Sequence, residues 1–242
     1  MNHAVLERIK AAGINPAALL SLDNIGAMEV GPSLAPARPA LDPARLGKIT
    51  GSRFGDVKYG RNGKGWAAVT DTLLADLVFE HATLQSASRF SGSAATDWGH
   101  EHEPAALSEY ERRTGQKVAR NKFQKMQGAK LIGCTPDGIG PGLAVECKCP
   151  YNPKNHIQTL LSNAVPTEYV DQVNGHMLVS GAQVCHFVTF DPRYLPQRPA
   201  LSFHLIEVER DEHQIKELKD RLLDFEDYLL KTLERLGIEP IF

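Results

Sequence analysis

Two carboxylates and one ammonium stand close together near the middle of the sequence. Asp137 belongs to the run Cys134-Thr-Pro-Asp-Gly138, and Glu146 and Lys148 lie two residues apart in Leu143-Ala-Val-Glu-Cys-Lys-Cys-Pro150. Side chains on a strand alternate between faces, so a strand over 143–149 points Glu146 and Lys148 the same way. The linking Gly138-Ile-Gly-Pro-Gly142 predicts a hairpin between Lys130–Thr135 and Leu143–Cys149, which carries Asp137 to the same spot. Hard carboxylate oxygens suit Mg²⁺ or Mn²⁺, ions that keep several waters and bridge phosphate groups. Such an ion acidifies water and stabilises charge developing on phosphorus. Lys148 would orient that water or neutralise the charge, and the backbone carbonyl of Cys147 is a candidate further ligand. This is the chemistry of phosphodiester hydrolysis. A D…ExK spacing alone also fits an ordinary hairpin with a surface Glu–Lys pair. The Pro-Asp-Gly turn, the apolar lead-in and the Cys-Pro exit favour the chemical reading.

The elements around this segment follow from pattern and punctuation. Residues 1–22 read as a helix broken at Gly13 and Pro16, and 31–43, with four prolines, as a loop. A short element begins at Arg45, and the glycines and basic residues of Gly55–Gly65 predict a flexible loop. Apolar recurrence at Val69, Leu73, Leu74, Leu77 and Val78 predicts a helix over 66–80, and a second is expected over Pro104–Thr114, with Pro104 in its first turn. Thr167 opens a helix that Gly181 stops, Ala182–Phe190 and Leu201–Val208 read as strands, and Asp211 caps a last helix. That helix carries one stripe: Ile215, Leu218, Leu222, Phe225, Leu229, Leu233 and Leu236. The order predicts a mixed α/β (α+β) domain.

With 242 residues, 42% of them hydrophobic, the chain suits a single domain over 1–242. Within it, 1–43 would be the N-terminal helix and Pro-rich loop, 44–210 the catalytic core and 211–242 the C-terminal helix. There is no apolar run of about eighteen residues and no basic-then-apolar leader, so neither a membrane span nor a signal peptide is expected. Four cysteines in no secreted framework fit a reducing, cytoplasmic setting. A net charge of −2 leaves any phosphate-binding surface to local clusters: Lys58, Arg61 and Lys64, or Arg112 to Lys125. Taken alone, such clusters are more often plain solvated surface.

CTPDGIGPGLAVECKCP resembles the active-site hairpin of the lambda exonuclease and YqaJ-type viral recombinase family, within the PD-(D/E)xK nucleases. The resemblance continues in order along the chain. Arg45-Leu-Gly-Lys-Ile-Thr-Gly-Ser52 is similar to the family's RLGxITxS segment and Trp98-Gly-His-Glu-His-Glu103 to its WGxxxE helix. Tyr169-Val-Asp-Gln-Val173 is similar to its glutamine helix and Asp191-Pro-Arg193 to its DPR strand exit. The resemblance implies a restriction-endonuclease-like core, a central mixed β-sheet flanked by helices. It implies Asp137, Glu146 and Glu103 as ligands of two Mg²⁺ ions (Mn²⁺ substituting), Lys148 as the catalytic lysine and Gln172 facing the same site. It implies Arg45 and Ser52 as holders of the DNA 5′-phosphate. It further implies a homotrimeric ring, 5′-to-3′ digestion of one strand of linear duplex DNA, and work with a phage single-strand annealing protein. Pro104 departs from the family pattern, and a proline after Glu103 predicts a helix start or a kink there.

Other residues carry plainer readings. Cys147 and Cys149 should face the core, opposite Lys148; without a CxxC, buried free thiols are favoured over zinc or an iron–sulfur cluster. His100 and His102 read as surface histidines with metal ligation as the alternative, Glu101 as solvated, and Trp98 as a packing anchor with base stacking as the alternative. Three functions stay in competition: an end-dependent exonuclease, an endonuclease on the same fold, and a non-catalytic DNA-end-binding module. The RLGxITxS segment favours the first, and the intact Asp137, Glu146 and Lys148 disfavour the last.

Overall fold

The segment Leu143-Ala-Val-Glu-Cys-Lys148 opens on three consecutive apolar residues, a run that marks a strand covered on both faces. In a computed structural model of the chain, which describes residues 43–87, 94–120 and 122–242, this segment is an inner strand. The elements run β1 (Ile49–Thr50), α1 (Ala68–Thr83), α2 (Ala94–Thr114), β2 (Gln124–Lys125), β3 (Ile132–Cys134), β4 (Gly138–Gly140) and β5 (Leu143–Lys148). Then come α3 (Pro153–Ser162), α4 (Thr167–Ser180), β6 (Val184–Phe190), β7 (Phe203–Glu209) and α5 (Glu212–Leu236). The main sheet has the order β4-β5-β6-β7, with β5 and β6 parallel and the outer pairs antiparallel. A parallel pair needs a crossover, and α3 and α4 supply it. A smaller sheet, β1-β3-β2, pairs Ile49 with Ile132 in parallel. Leu41–Phe242 form one unit, a mixed α/β fold with helices against mixed sheets.

Alternation along β5 divides its side chains between two helices. Val145 and Cys147 pack with Ala106, Leu107 and Tyr110 of α2. Ala144 packs with Val173 and Met177 of α4. Glu146 and Lys148 share the Ala144 face, so they come out beneath α4. The last helix buries Leu218, Leu222, Phe225, Leu229 and Leu233 in a core with Ile49, Phe54, Leu73 and Leu77. Asp211 caps it, its Oδ1 accepting from the His213 and Gln214 amides at 2.8 and 3.2 Å. Gly237 closes it in the left-handed region at φ 69°. Each buried leucine there contributes roughly 1.5–3 kcal/mol. Leu236, expected in the stripe, is 54% exposed, and the stripe's burial ends at Leu233.

Three expectations are corrected, and one element is additional. The strand at 132–134 pairs with β1 and β2, not with β5; the hairpin partner of β5 is the shorter Gly138–Gly140. Pro136 has no N–H to give a ladder, and pairing to β5 begins with the Asp137 amide on Val145 O at 3.0 Å. The second helix starts at Ala94 and runs through Pro104 rather than starting there. One helical bond is forgone, and the exposed first half of α2 has no apolar stripe to announce it. The Gly55–Gly65 stretch is tied rather than loose. A six-residue 3-10 turn covers Gly51–Asp56, and the next loop is closed by Tyr59–Trp66 pairing and Gly60 N on Gly65 O at 2.9 Å. Helix α3 was not expected; Asn152 caps it and Pro153 opens it. The reading of 1–22 as a helix and most of the 31–43 loop lie outside the described residues.

Candidate active site

Helix α4 presents Tyr169, Gln172 and His176 at steps of three and four, which stack on one helical face. That face lies over Glu146 and Lys148. Glu146 is 2% exposed, and both of its carboxylate oxygens are engaged. Oε1 meets Lys148 Nζ at 2.6 Å and accepts from Gln172 Nε2 at 2.7 Å. Oε2 lies 2.6 Å from His176 Nε2. The Gln172 amide completes the ring by accepting from Lys148 Nζ at 3.1 Å. Below the ammonium the Tyr169 ring lies 4.7 Å away, itself stacked on Phe187 at 5.6 Å. Asp137, at the start of the hairpin, accepts the Cys147 amide at 2.7 Å.

Electrostatics separates the two carboxylates. Burial pushes Glu146 up, but Lys148 and His176 more than offset it and hold the group at about 2. Asp137 is pushed well above the usual carboxylate range by burial and by the negative charges of Glu146 and Glu103. Burial alone would lower Lys148, yet Glu146 and Asp137 raise it, so it stays an ammonium. A charged Lys148 serves as an electrostatic and orienting group rather than as a base.

All eight residues singled out in the sequence line one open cleft of about 610 Å³: Arg45, Ser52, Glu103, Asp137, Glu146, Cys147, Lys148 and Gln172. Arg45 ends a short turn, Pro43–Arg45, and its buried Nε has no hydrogen-bond partner among the described residues. Ser52 is exposed on the same wall. Glu103 reaches the cleft from mid-helix, because α2 continues through Pro104. A buried guanidinium N–H without an acceptor suits an anion from outside the chain.

The donor set also fits a hard cation. Glu146 and Glu103 raise the cost of ionising Asp137, which a divalent ion would relieve, and Glu146 Oε2, engaged by His176 alone among the described residues, keeps a lone pair. Among the described residues, however, no three Asp, Glu, His or Cys side chains stand together as a ready-made metal cage. Mg²⁺ commonly retains water and takes substrate phosphate as ligands, so such a cage is not required of it.

Sequence reasoning missed His176, although its place four residues after Gln172 on one helix was a usable signal. The four cysteines are buried free thiols. Glu101 and His100 are exposed, whereas His102 is half-buried, its ring 3.9 Å from that of Trp98. Asp191 and Arg193 fasten the exit of β5: Arg193 binds Asp191, donates to the carbonyls of Pro150 and Tyr151, and covers the Trp98 ring at 4.8 Å. Of the basic clusters, Arg112 and Arg113 pair with Glu109 on their own helix, and Lys117, just beyond its end, pairs with Glu111. Lys58, Arg61 and Lys64 are exposed.

Residues 42–183 match the model of the YqaJ-like viral recombinase domain. An alkaline exonuclease from Laribacter hongkongensis is similar in structure and sequence, with 30% identity, a TM-score of 0.72, and coverage of 80% of this chain and 93% of that one. The same figures hold for that exonuclease in complex with dAMP. A phage-related exonuclease from Haemophilus somnus 129PT shares the fold at 15% identity and a TM-score of 0.62, covering 78% of this chain and 96% of that one. Among curated proteins no match is found.

Proposed function

The chain belongs to the YqaJ-like viral recombinase domain family, and we propose that it is a DNA exonuclease of phage-type recombination that digests one strand of linear duplex DNA from its 5′ end with Mg²⁺. The single observation that carries this reading is the joining of Asp137, Glu146 and Lys148 to Arg45 in one cleft. One part can hydrolyse a phosphodiester; the other, lining the same cleft, can hold the terminal phosphate. Resemblance to an alkaline exonuclease, solved also with dAMP, supports the same substrate class.

In this reading Asp137, Glu146, Glu103 and the Cys147 carbonyl hold two Mg²⁺ ions, with Mn²⁺ able to substitute. The ions supply acidified water and neutralisation of phosphate charge. Lys148 fixes the attacking water and faces charge that grows on the phosphate oxygens. Gln172 holds Lys148 and Glu146 in register through its two amide atoms. Arg45 grips the 5′-phosphate with a planar fork, and Ser52 adds a neutral donor. The nuclease is one domain over 1–242 that works in the cytoplasm as a homotrimeric ring, handing its product to a single-strand annealing protein. A ring suits a chain of net charge −2, which has little else to keep it on DNA.

Digestion of linear against closed circular duplex with Mg²⁺ tests the reading. Linear DNA is expected to be degraded and circles to survive; nicked circles would favour an endonuclease. Among the described residues no helix is long and apolar enough to cross a membrane.

A further inference from the structure

His176 is fully buried, yet one edge of its ring meets a charged group. Its Nε2 lies 2.6 Å from Glu146 Oε2, and its Nδ1, also buried, has no partner among the described residues. An ionised carboxylate only accepts, so the hydrogen sits on Nε2 and the tautomer is set by Glu146. The ring is also wedged from behind. A Cβ built on Gly51 would meet His176 Cε1 at 3.4 Å, ordinary contact, and press on Cys134 Cβ at 3.0 Å, so this backbone runs directly against the imidazole. Gly51 directly precedes Ser52. The imidazole thus fills the space between the carboxylate and the segment that carries Arg45 and Ser52.

We infer that His176 is a positioning residue that holds Glu146 in its ligating orientation, acting through the carboxylate and not on the substrate. The inference rests on the reading of Glu146 as a metal ligand. Lys148 and Gln172 both engage Oε1, and neither restrains Oε2. Without His176 the carboxylate would keep its anchor at one oxygen and be free to rotate about it, with the other oxygen buried and unpaired. Groups that orient a metal ligand from behind typically affect metal affinity or activity by about 10–100-fold. A core histidine serving only as filler would leave metal affinity alone.

The test uses the full chain and Mn²⁺ alone, titrated calorimetrically without DNA, on wild type, His176→Ala, His176→Gln, His176→Asn and Glu146→Ala. Gln extends an amide nitrogen to the place of Nε2, whereas Asn falls one carbon short. His176→Ala and His176→Asn are expected to bind Mn²⁺ about 10–100-fold more weakly than wild type, and His176→Gln to recover most of the loss. DNA binding in EDTA should be the same for all of them. If His176→Ala melts before it can be titrated, the Gln and Asn pair carries the comparison. Wild-type Mn²⁺ affinity in His176→Asn, or equal losses in Gln and Asn, would overturn the inference while leaving Glu146 as a ligand. Unchanged affinity in Glu146→Ala would remove the ligand role and the inference with it.

Discussion

Lys148 Nζ lies 2.6 Å from Glu146 Oε1, and the two side chains leave the same face of one strand. The ammonium therefore cannot be taken away without leaving a nearly fully buried carboxylate short of its closest counter-charge. Lys148→Ala is expected to reduce cleavage by about 10²–10³-fold, the usual loss for one preorganised charge-stabilising donor. DNA binding, followed in EDTA by anisotropy, should persist. Cleavage by the variant at the wild-type rate would contradict the role given to Lys148.

Arg45 gives the second prediction. Its buried Nε has no acceptor among the described residues. Wild type should digest 5′-phosphorylated linear duplex faster than the 5′-hydroxyl form. Arg45→Ala should lose that preference, at a cost on the order of 1.5–3 kcal/mol, while retaining slow hydrolysis. Equal rates on both ends by wild type would show that Arg45 does something else.

Asp137 makes stability depend on pH and metal together. Its folded value lies well above the ordinary 3.8. The sign follows: the folded state binds the proton more tightly, so this contribution is fully present below 3.8 and is lost as pH rises through the folded value. A Mg²⁺ ion held by Asp137 would take the proton's place. Melting with and without Mg²⁺ should thus show a metal-dependent gain that grows with pH from 5 to 8, about absent in Asp137→Asn. A gain independent of pH would count against Asp137 as a ligand.

Gly175 tests the scaffold. A Cβ there would overlap the Phe54 ring, where α4 meets the turn over Gly51–Asp56. Gly175→Ala is expected to cost about 1–3 kcal/mol, the range for overpacking a dense core. Urea unfolding measures it. Because the displaced parts carry Ser52 and Gln172, cleavage should fall beyond what the lost folded fraction explains.

The fold was legible where pattern and punctuation coincided. The α5 stripe, with Asp211 before it and Gly237 after it, is a one-face helix whose burial decides its form, and α4 ends at Gly181 as its sequence says. Legibility failed where tertiary context decides. The first half of α2 is polar and exposed, so nothing in its sequence outweighs Gly99 and Pro104. Strand β3 looks like a hairpin arm, but its partner Ile49 lies far back in the chain, and pairing partners leave no local trace. At the site, spacing two on a strand was enough to join Glu146 to Lys148. His176 stands four residues after Gln172 on the same helix, which puts both on one face, but a histidine among apolar residues reads first as core filling.

End-dependent hydrolysis with a defined direction is read from the release of labels at the two termini. A 5′-phosphorylated linear duplex, labelled near the 5′ end of one strand and near the 3′ end of the same strand, is incubated with Mg²⁺. The 5′ label should be released first as small products and the 3′ label only after a delay that grows with length, with neither released in EDTA. Prompt release of the 3′ label, or release unaffected by EDTA, would contradict 5′-to-3′ digestion with Mg²⁺.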